Sequence, residues 1–145
     1  MAKNYDATDL LWTSRGDFFI SNGDLKDTEH DPLRSLVQEV KNRASSDQAA
    51  WSVFPDLGAT LSRFVGEPNN KQTAESIKVA IQSALTRNGY INNNDIEIKY
   101  MPISREKLLL RVTIKVAPTV ANANSESLTL HGLYNYEEDQ VTFII

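Results

Sequence analysis

The chain has 145 residues, of which 41% are hydrophobic, and its formal net charge at pH 7 is −4. This length and apolar content fit one folded domain with its own core. The lack of cysteine excludes disulfides and cysteine-based zinc sites, and it fits synthesis in a reducing cytoplasm. No apolar run approaches the about 20 residues of a membrane span, no secretory signal is recognisable, and no Lys/Arg cluster is dense enough to track a phosphate backbone, which argues against membrane and nucleic-acid partners.

Residues 1–30 are predicted to form an extended arm or a short hairpin. Two short apolar runs, Leu10–Trp12 and Phe18–Ile20, are separated by polar turn residues. Trp12 and Phe18 need to be covered by other groups. They either close one edge of the chain's own core or anchor onto a neighbouring chain, since aromatic side chains are favoured at the centres of interfaces.

A first helix is predicted to begin at Asp31-Pro32, with the aspartate as N-cap and the proline at the first helical position. Apolar residues recur on one face of this helix at helical spacing: Leu33, Leu36, Val37 and Val40. The helix should end near residues 44–47, and Asp47 is expected to cap a second, short helical turn over residues 49–51.

The stretch 55–68 contains the densest group of prolines and glycines in the chain, from Pro-Asp-Leu-Gly-Ala at its start to Gly-Glu-Pro at its end. Proline restricts the backbone and glycine frees it, so these residues set the path of the chain. Leu57, Leu61 and Phe64 can share one side of a short helical run. The stretch therefore predicts a compact, rigid connector between two helices.

A second helix is predicted to begin near Asn70–Thr73, where Thr73 can cap it. Its buried face is formed by residues at helical spacing: Ala74, Ile77, Ile81, Ala84 and Leu85. Asn88-Gly89 should end the helix, because glycine readily adopts the left-handed conformation that follows many helices.

From residue 96 onward the apolar period changes to two, which is typical of strands. Strands over residues 96–100 and 108–116 predict a long antiparallel hairpin with one dry face and one charged face. Opposite charges on that face are expected to pair across the sheet, for about 0.2–1 kcal/mol each. The side chains concerned are Glu97, Lys99, Arg111 and Lys115.

Residues 119–126 are small and polar and are predicted to form a flexible linker. A second hairpin follows, with an acidic turn at 137–140 and a last strand over 141–145. This last strand is an uncharged β-forming run, so it either joins the chain's own sheet or pairs with another chain.

The predicted fold class is α+β: two main helices packed on an antiparallel sheet, with an extended N-terminal arm and a C-terminal β-hairpin. These elements form a single domain over 1–145, and the helices and main hairpin occupy 31–118.

No sequence pattern for catalysis or metal binding is recognisable. The two histidines, His30 and His131, belong to no His-x-x-x-His or Glu-x-x-His pair. A Gly-x-Ser-x-Gly elbow and a Gly-rich phosphate loop are also missing. We therefore predict no catalytic residues, no metal and no cofactor.

The Pro-Asp-(hydrophobic)-Gly turn, the short helical run and the Glu-Pro pair before a long helix together resemble the baseplate wedge family of contractile phage tails, also called the sheath initiator family. This family has also been named tail-lysozyme-like, and relatives occur in contractile bacteriocins and type VI secretion baseplates. The resemblance covers residues 31–118. Two positions depart from the family pattern: Leu57 replaces a usual aromatic residue, and Asn69 follows Glu-Pro where Arg or a small polar residue is usual.

The resemblance implies a structural protein of the virion tail baseplate, made in the host cytoplasm and arranged in six copies around the tail axis. It implies baseplate wedge proteins, the tail sheath protein and tail tube or tube-initiator proteins as partners. The implied wedge contact comprises Asp56, Gly58, Phe64, Glu67 and Pro68. For the sheath contact, made by adding strands to a sheet, we predict Leu110, Val112, Ile114 and Val116, together with Val141, Phe143 and Ile145 of the C-terminal hairpin, which lies outside the resemblance.

Two other functions remain as alternatives. The lysozyme name implies peptidoglycan degradation, which needs two carboxylates across a cleft. Glu67 is the best single candidate for such a group, with Asp56 as its partner. The third hypothesis is a soluble adaptor from a non-tail system that shares only the α+β pattern.

Overall fold

The fold, taken from a computed structural model that describes residues 8–13, 17–29, 31–116, 127–138 and 140–144, is α+β. A short hairpin of β1 (Ile20–Ser21) and β2 (Asp24–Leu25) precedes two helices, α1 (Pro32–Ser45) and α2 (Lys71–Thr86). An antiparallel sheet follows, with its four strands adjacent in chain order: β3 (Ile96–Pro102), β4 (Lys107–Lys115), β5 (Ser127–Asn135) and β6 (Gln140–Ile144). The predicted fold class is confirmed, while the predicted linker 119–126 lies outside the described residues. Neither helix is long and apolar enough to cross a membrane.

Helix α1 begins as the sequence predicts. The Asp31 carboxylate accepts a hydrogen bond from the Arg34 backbone N–H (3.1 Å), and proline occupies the first turn. The predicted helical turn over residues 49–51 is wrong. Ala49 adopts a left-handed conformation (φ 67°), and the Asp47 carboxylate accepts a hydrogen bond from the Ser62 hydroxyl (3.0 Å) instead of capping a helix.

Helix α2 begins at Lys71, and its N-cap is Asn70 rather than the predicted Thr73. The Asn70 side-chain oxygen accepts from the Thr73 backbone N–H (2.9 Å), which satisfies one of the unpaired donors of the first turn. Thr73 is therefore already inside the helix, where it is buried. The predicted stop is confirmed, with Gly89 in the left-handed region (φ +69°) just after the helix.

The two predicted hairpins form one continuous sheet, because β5 pairs with β4 along its whole length. Helix α2 packs over β3 and α1 packs over β6, so one face of the sheet lies beneath both helices. Strand residues at alternate positions point into this layer and form the core together with the inner faces of the helices. They include Ile98, Leu108, Leu110, Val112, Ile114, Leu130, Tyr134 and Phe143.

The predicted charge pairs across the main hairpin do not form. Lys99 lies directly opposite Arg111, and Glu97 lies opposite Thr113. The Lys99 ammonium instead contacts the Glu97 carboxylate (3.4 Å) along the same strand. Register decides this outcome, since a strand hairpin pairs fixed positions whatever their charge.

The Gln38 side chain of α1 connects this helix to the described part of the N-terminal arm. The Gln38 amide accepts from the Trp12 backbone N–H (3.0 Å) and donates to the Leu10 carbonyl (2.9 Å). Trp12 and Phe18 stack on each other (4.4 Å between ring centroids), yet they remain 40% and 44% exposed and belong to no part of the core. Among the described residues the two aromatic rings therefore pack on each other and not on the core, and the anchoring role on another chain stays a prediction.

Candidate partner-binding surfaces

The first half of the motif stretch packs against the C-terminal ends of both helices. Gly58 is buried with φ +129°, and a Cβ at this position would overlap the Ser46 backbone carbonyl at the end of α1. The Arg87 guanidinium, just after α2, donates to the Asp56 backbone carbonyl (2.9 Å). The turn thus requires glycine for two separate reasons, its left-handed backbone and its close approach to α1.

A cleft of about 330 Å³ opens beside this turn. At its base the Arg43 guanidinium forms an ion pair with Glu39 (2.7 Å) and donates to the backbone carbonyls of Ala84 and Arg87 (3.1 and 3.2 Å). The Ala84 carbonyl is among those that the end of α2 leaves without a helical partner, whereas the Arg87 carbonyl also accepts from the Tyr90 backbone N–H (3.3 Å). Exposed apolar side chains stand on the adjoining loop: Trp51, Val53 and Phe54.

The second half of the motif stretch is fixed to the opposite end of the molecule. The Asn69 amide donates to the backbone carbonyls of Ser104 (2.6 Å) and Lys107 (3.1 Å) in the β3–β4 turn, and its oxygen accepts from the Tyr136 hydroxyl (3.1 Å). The Gly66 backbone N–H donates to the Tyr136 carbonyl (3.0 Å). We call residues 66–69 the elbow. Because both flanks are tied to strand turns, Glu67 and Pro68 stand exposed at a fixed position between them.

The motif stretch is therefore not the compact connector that its sequence predicts. Its start lies at the C-terminal end of α2 and the elbow lies at the N-terminal end. A 16-residue helix is about 24 Å long, so the two halves face different surroundings. Asp56 and Glu67 are separated by this helix, whereas glycosidase carboxylates lie about 5–9.5 Å apart. This placement argues against the pair of carboxylates on which the lysozyme alternative relied.

Phe64 lies between the two halves, in a short 3-10 helix over Leu61–Phe64. Its ring is half-buried and packs on the core, with the Arg63 guanidinium 4.8 Å above it. The Tyr134 hydroxyl donates to the Leu61 carbonyl (2.8 Å) and holds this segment on the sheet. Phe64 thus contributes to the fold as well as to the surface, and a partner can reach only part of the ring.

Four of the predicted sheath-contact side chains lie entirely in the core: Leu110, Val112, Ile114 and Val116. Strand β4 pairs with β3 on one side and with β5 on the other, so none of its main-chain edge is open in the folded chain. The side chains of these four residues therefore serve the core of the folded chain, and an added strand does not reach them at an open edge of β4. The alternation of the sequence is the same for a central strand and an edge strand, and it could not distinguish them.

The last strand is at the edge of the sheet, and its side chains also serve the core. Phe143 is buried and lies over Gly132, where an added Cβ would meet the Phe143 ring at 2.6 Å. Val141 is half-buried against the core, Thr142 is exposed, and Ile145 lies outside the described residues. Any contact with another chain at β6 would therefore use its main chain more than its apolar side chains.

Two tyrosines at the elbow end of the molecule have altered acidities. The Tyr100 hydroxyl donates to the Glu75 carboxylate (2.8 Å), and this hydrogen bond, with burial and the negative charge, raises the pKa of Tyr100 above 10.0. Burial raises the pKa of Tyr136 in the same direction. Both hydroxyls are donors, so the folded chain favours the protonated phenols.

Sequence reasoning missed the residues that position these surfaces, above all Asn69 and Arg43. A weak signal existed for the first, since Asn69 and Asn70 are adjacent and a single residue suffices to cap α2. Arg43 lies on the polar side of a helix pattern and gives no such signal.

Within the described part of the chain, no group of three or more His, Asp or Glu side chains could hold a metal ion. No family model matches the chain, and no solved structure matches it.

Proposed function

We propose that this chain is a structural component of a contractile tail baseplate, in the virion, that joins the wedge to the tail tube and initiates sheath assembly by β-strand addition. The motif resemblance over residues 31–118 supports this proposal, and the α+β fold agrees with it. The observation that carries it is the edge strand β6, whose sequence Gln-Val-Thr-Phe-Ile has no charged residue.

The two edges of the sheet differ in how well they suit an added strand. Strand β3 carries Glu97, Lys99 and Pro102, and charges and proline are the usual protection of an edge against pairing. Strand β6 has no such protection. Main-chain hydrogen bonds to an edge strand give affinity, and alternate side chains set the register.

The edge beside β6 continues along its neighbour. Strand β6 pairs with β5 only as far as His131, while β5 extends back to Ser127. Over Leu128–Leu130, β5 pairs with β4 and, within the described ranges, with no second strand. A partner strand that continues the line of β6 would find open main chain at these residues.

The elbow is the surface that we propose for the wedge contact. Its backbone is fixed before a partner arrives, so binding does not have to order it. Glu67 offers a carboxylate to a basic or hydrogen-bonding group, and Pro68 restricts the direction of the turn. In a sixfold ring several such contacts act together, and each can be individually weak.

A charge placed on the β6 edge tests the sheath role. Thr142→Lys puts a cation on an exposed edge position, and Thr113→Lys is the matched control on the same face of a central strand. Baseplates carrying each variant are mixed with the sheath protein of the same tail, and sheathed particles are counted by electron microscopy. We expect Thr142→Lys to lower nucleation about tenfold, equivalent to about 1.4 kcal/mol, and Thr113→Lys to leave it unchanged.

Equal nucleation by both variants would remove β6 from the sheath contact. The broader proposal has its own test, which is mass spectrometry of purified tails. We expect the chain to remain in finished particles at the copy number of the wedge proteins, and its loss from them would contradict a baseplate role. Zymography on cell walls tests the prediction that the chain is not an enzyme. Clearing by the parent chain that is lost in Glu67→Gln would establish the muralytic alternative.

A further inference from the structure

The face of the sheet that points away from the helices is open. Every described side chain on this face is exposed or half-buried, in contrast to the buried side chains on the helix face. Antiparallel sheets often leave one face in water, so openness alone does not indicate a binding site. The arrangement of charge on this face is more informative.

A row of basic side chains crosses three adjacent strands on the open face. Lys99 on β3 lies opposite Arg111 on β4, which in turn lies opposite His131 on β5. We call these three residues the basic row. Lys99 and Arg111 are like charges directly opposite each other, an arrangement that destabilises a sheet, and the Glu97 carboxylate beside Lys99 offsets part of this repulsion.

The formal charges of the open face lie on β3 and β4, and most of them are positive. Its charged residues are Glu97, Lys99, Lys107, Arg111 and Lys115, four cations against one anion, although the chain as a whole has a net charge of −4. The one acid already contacts Lys99. Positive charge is thus concentrated on one face of an acidic protein, which favours the approach of an anionic partner to that face.

An apolar row lies directly beside the basic row. Met101, Leu109 and Leu133 are register partners two positions farther along the strands, and Met101 is 57% exposed. Two residues along a strand correspond to about 7 Å. A ligand that fits both rows therefore needs negative charges and apolar groups side by side at this distance.

We propose that the open face binds an acidic amphipathic segment of a partner protein, with carboxylates on the basic row and apolar side chains on Met101, Leu109 and Leu133. A nucleic acid fits less well, because three basic residues span only about 10 Å of neighbouring strands and the rest of the chain would repel a polyanion. This surface is the flat side of the sheet and does not include the β6 main-chain edge, so the proposal goes beyond the sheath and wedge contacts.

The binding test uses a labelled synthetic helical peptide with a row of Glu next to a row of Leu. A helix cannot add to the sheet edge as a strand would, so it reports on the face alone. We expect fluorescence anisotropy to show binding to the full chain that weakens as salt is added, because salt screens charge pairs at an exposed surface. A peptide with Lys in place of every Glu should not bind.

Charge reversal at the centre of the row gives the decisive comparison. Arg111→Glu should weaken binding of the Glu/Leu peptide by about tenfold or more, whereas Lys71→Glu, the same charge change at the exposed start of α2, should change it little. Arg111→Glu should also raise the urea midpoint of the free chain, because it places an acid opposite Lys99. A merely structural arginine would lower that midpoint.

Four results would overturn the proposal. The first is equal binding of the Glu and Lys peptides, and the second is unchanged affinity after Arg111→Glu. The third is stronger binding of a single-stranded oligonucleotide than of the Glu/Leu peptide, which would assign the face to nucleic acid. Chemical shifts that move on the helix face and not at Lys99, Arg111 and His131 would also contradict it.

Discussion

The ring of Phe143 lies over Gly132, and a Cβ on that glycine would be only 2.6 Å from the ring. The two residues are register partners on β6 and β5, so this contact holds the last strand on the core layer. Phe143 is also buried, and β6 packs beneath α1. The contact adds side-chain packing to the backbone pairing of this five-residue edge strand.

We expect Gly132→Ala to lower the free energy of unfolding by about 2 kcal/mol, because the new methyl group must displace the ring. In a Phe143→Leu background the same change should cost less, since the smaller side chain leaves room. Urea denaturation of the four chains in this double-mutant cycle measures the coupling. If the free-energy losses of Gly132→Ala and Phe143→Leu simply add in the double mutant, the Phe143 ring is not what prevents a side chain at position 132.

Gly58 provides a second test of close approach. Gly58→Ala should cost about 3 kcal/mol or more, since both the left-handed backbone and the overlap with the Ser46 carbonyl oppose a side chain. Gly23→Ala is the matched control, because Gly23 also has positive φ (+78°) but nothing lies within 4 Å of its added Cβ. The control should cost about 1 kcal/mol. Thermal or urea unfolding that gives equal losses would show that the contact with α1 is unimportant.

At the elbow, we expect one residue, Glu67, to matter for partner binding and its near neighbour, Asn69, to matter for stability. Glu67→Ala should change the free energy of unfolding by less than about 0.5 kcal/mol, because the carboxylate is exposed, but it should impair incorporation into the wedge. Asn69→Ala should cost about 2 kcal/mol, because it removes hydrogen bonds to the Ser104 and Lys107 carbonyls and to Tyr136. Normal incorporation of Glu67→Ala into assembled wedges would exclude the carboxylate from the contact.

The tyrosines predict how stability depends on alkaline pH. The folded-state pKa values of Tyr100 and Tyr136 lie above 10.0, so the unfolded chain loses these protons first as the pH rises. The stabilising contribution is complete below pH 10.0 and is lost as the pH rises through the folded-state pKa values. Tyr100→Phe and Glu75→Gln should each make the fall in urea midpoint above pH 10.0 less steep. An unchanged slope in both variants would show that the Tyr100–Glu75 hydrogen bond does not persist in solution.

The sequence by itself determined the features that depend on neighbouring residues. Asp31-Pro32 starts α1 and Gly89 follows α2, because caps and helix stops are satisfied within one turn of chain. The change to a period of two near Ile96 predicted the main hairpin, and the α+β class follows from these elements. The resemblance to a baseplate family also rests on local motif residues, and it remains a proposal for this chain.

Only the tertiary structure decided which strands are central and where the two halves of the motif stretch lie. Alternating apolar residues look the same in β4, buried between two neighbours, and in β6, at the edge. Asp56 and Glu67 are close in sequence, yet they are held to opposite ends of α2, one through Arg87 and the other beside Asn69. Such placements depend on hydrogen bonds and packing between residues far apart in the chain, and no local pattern encodes them.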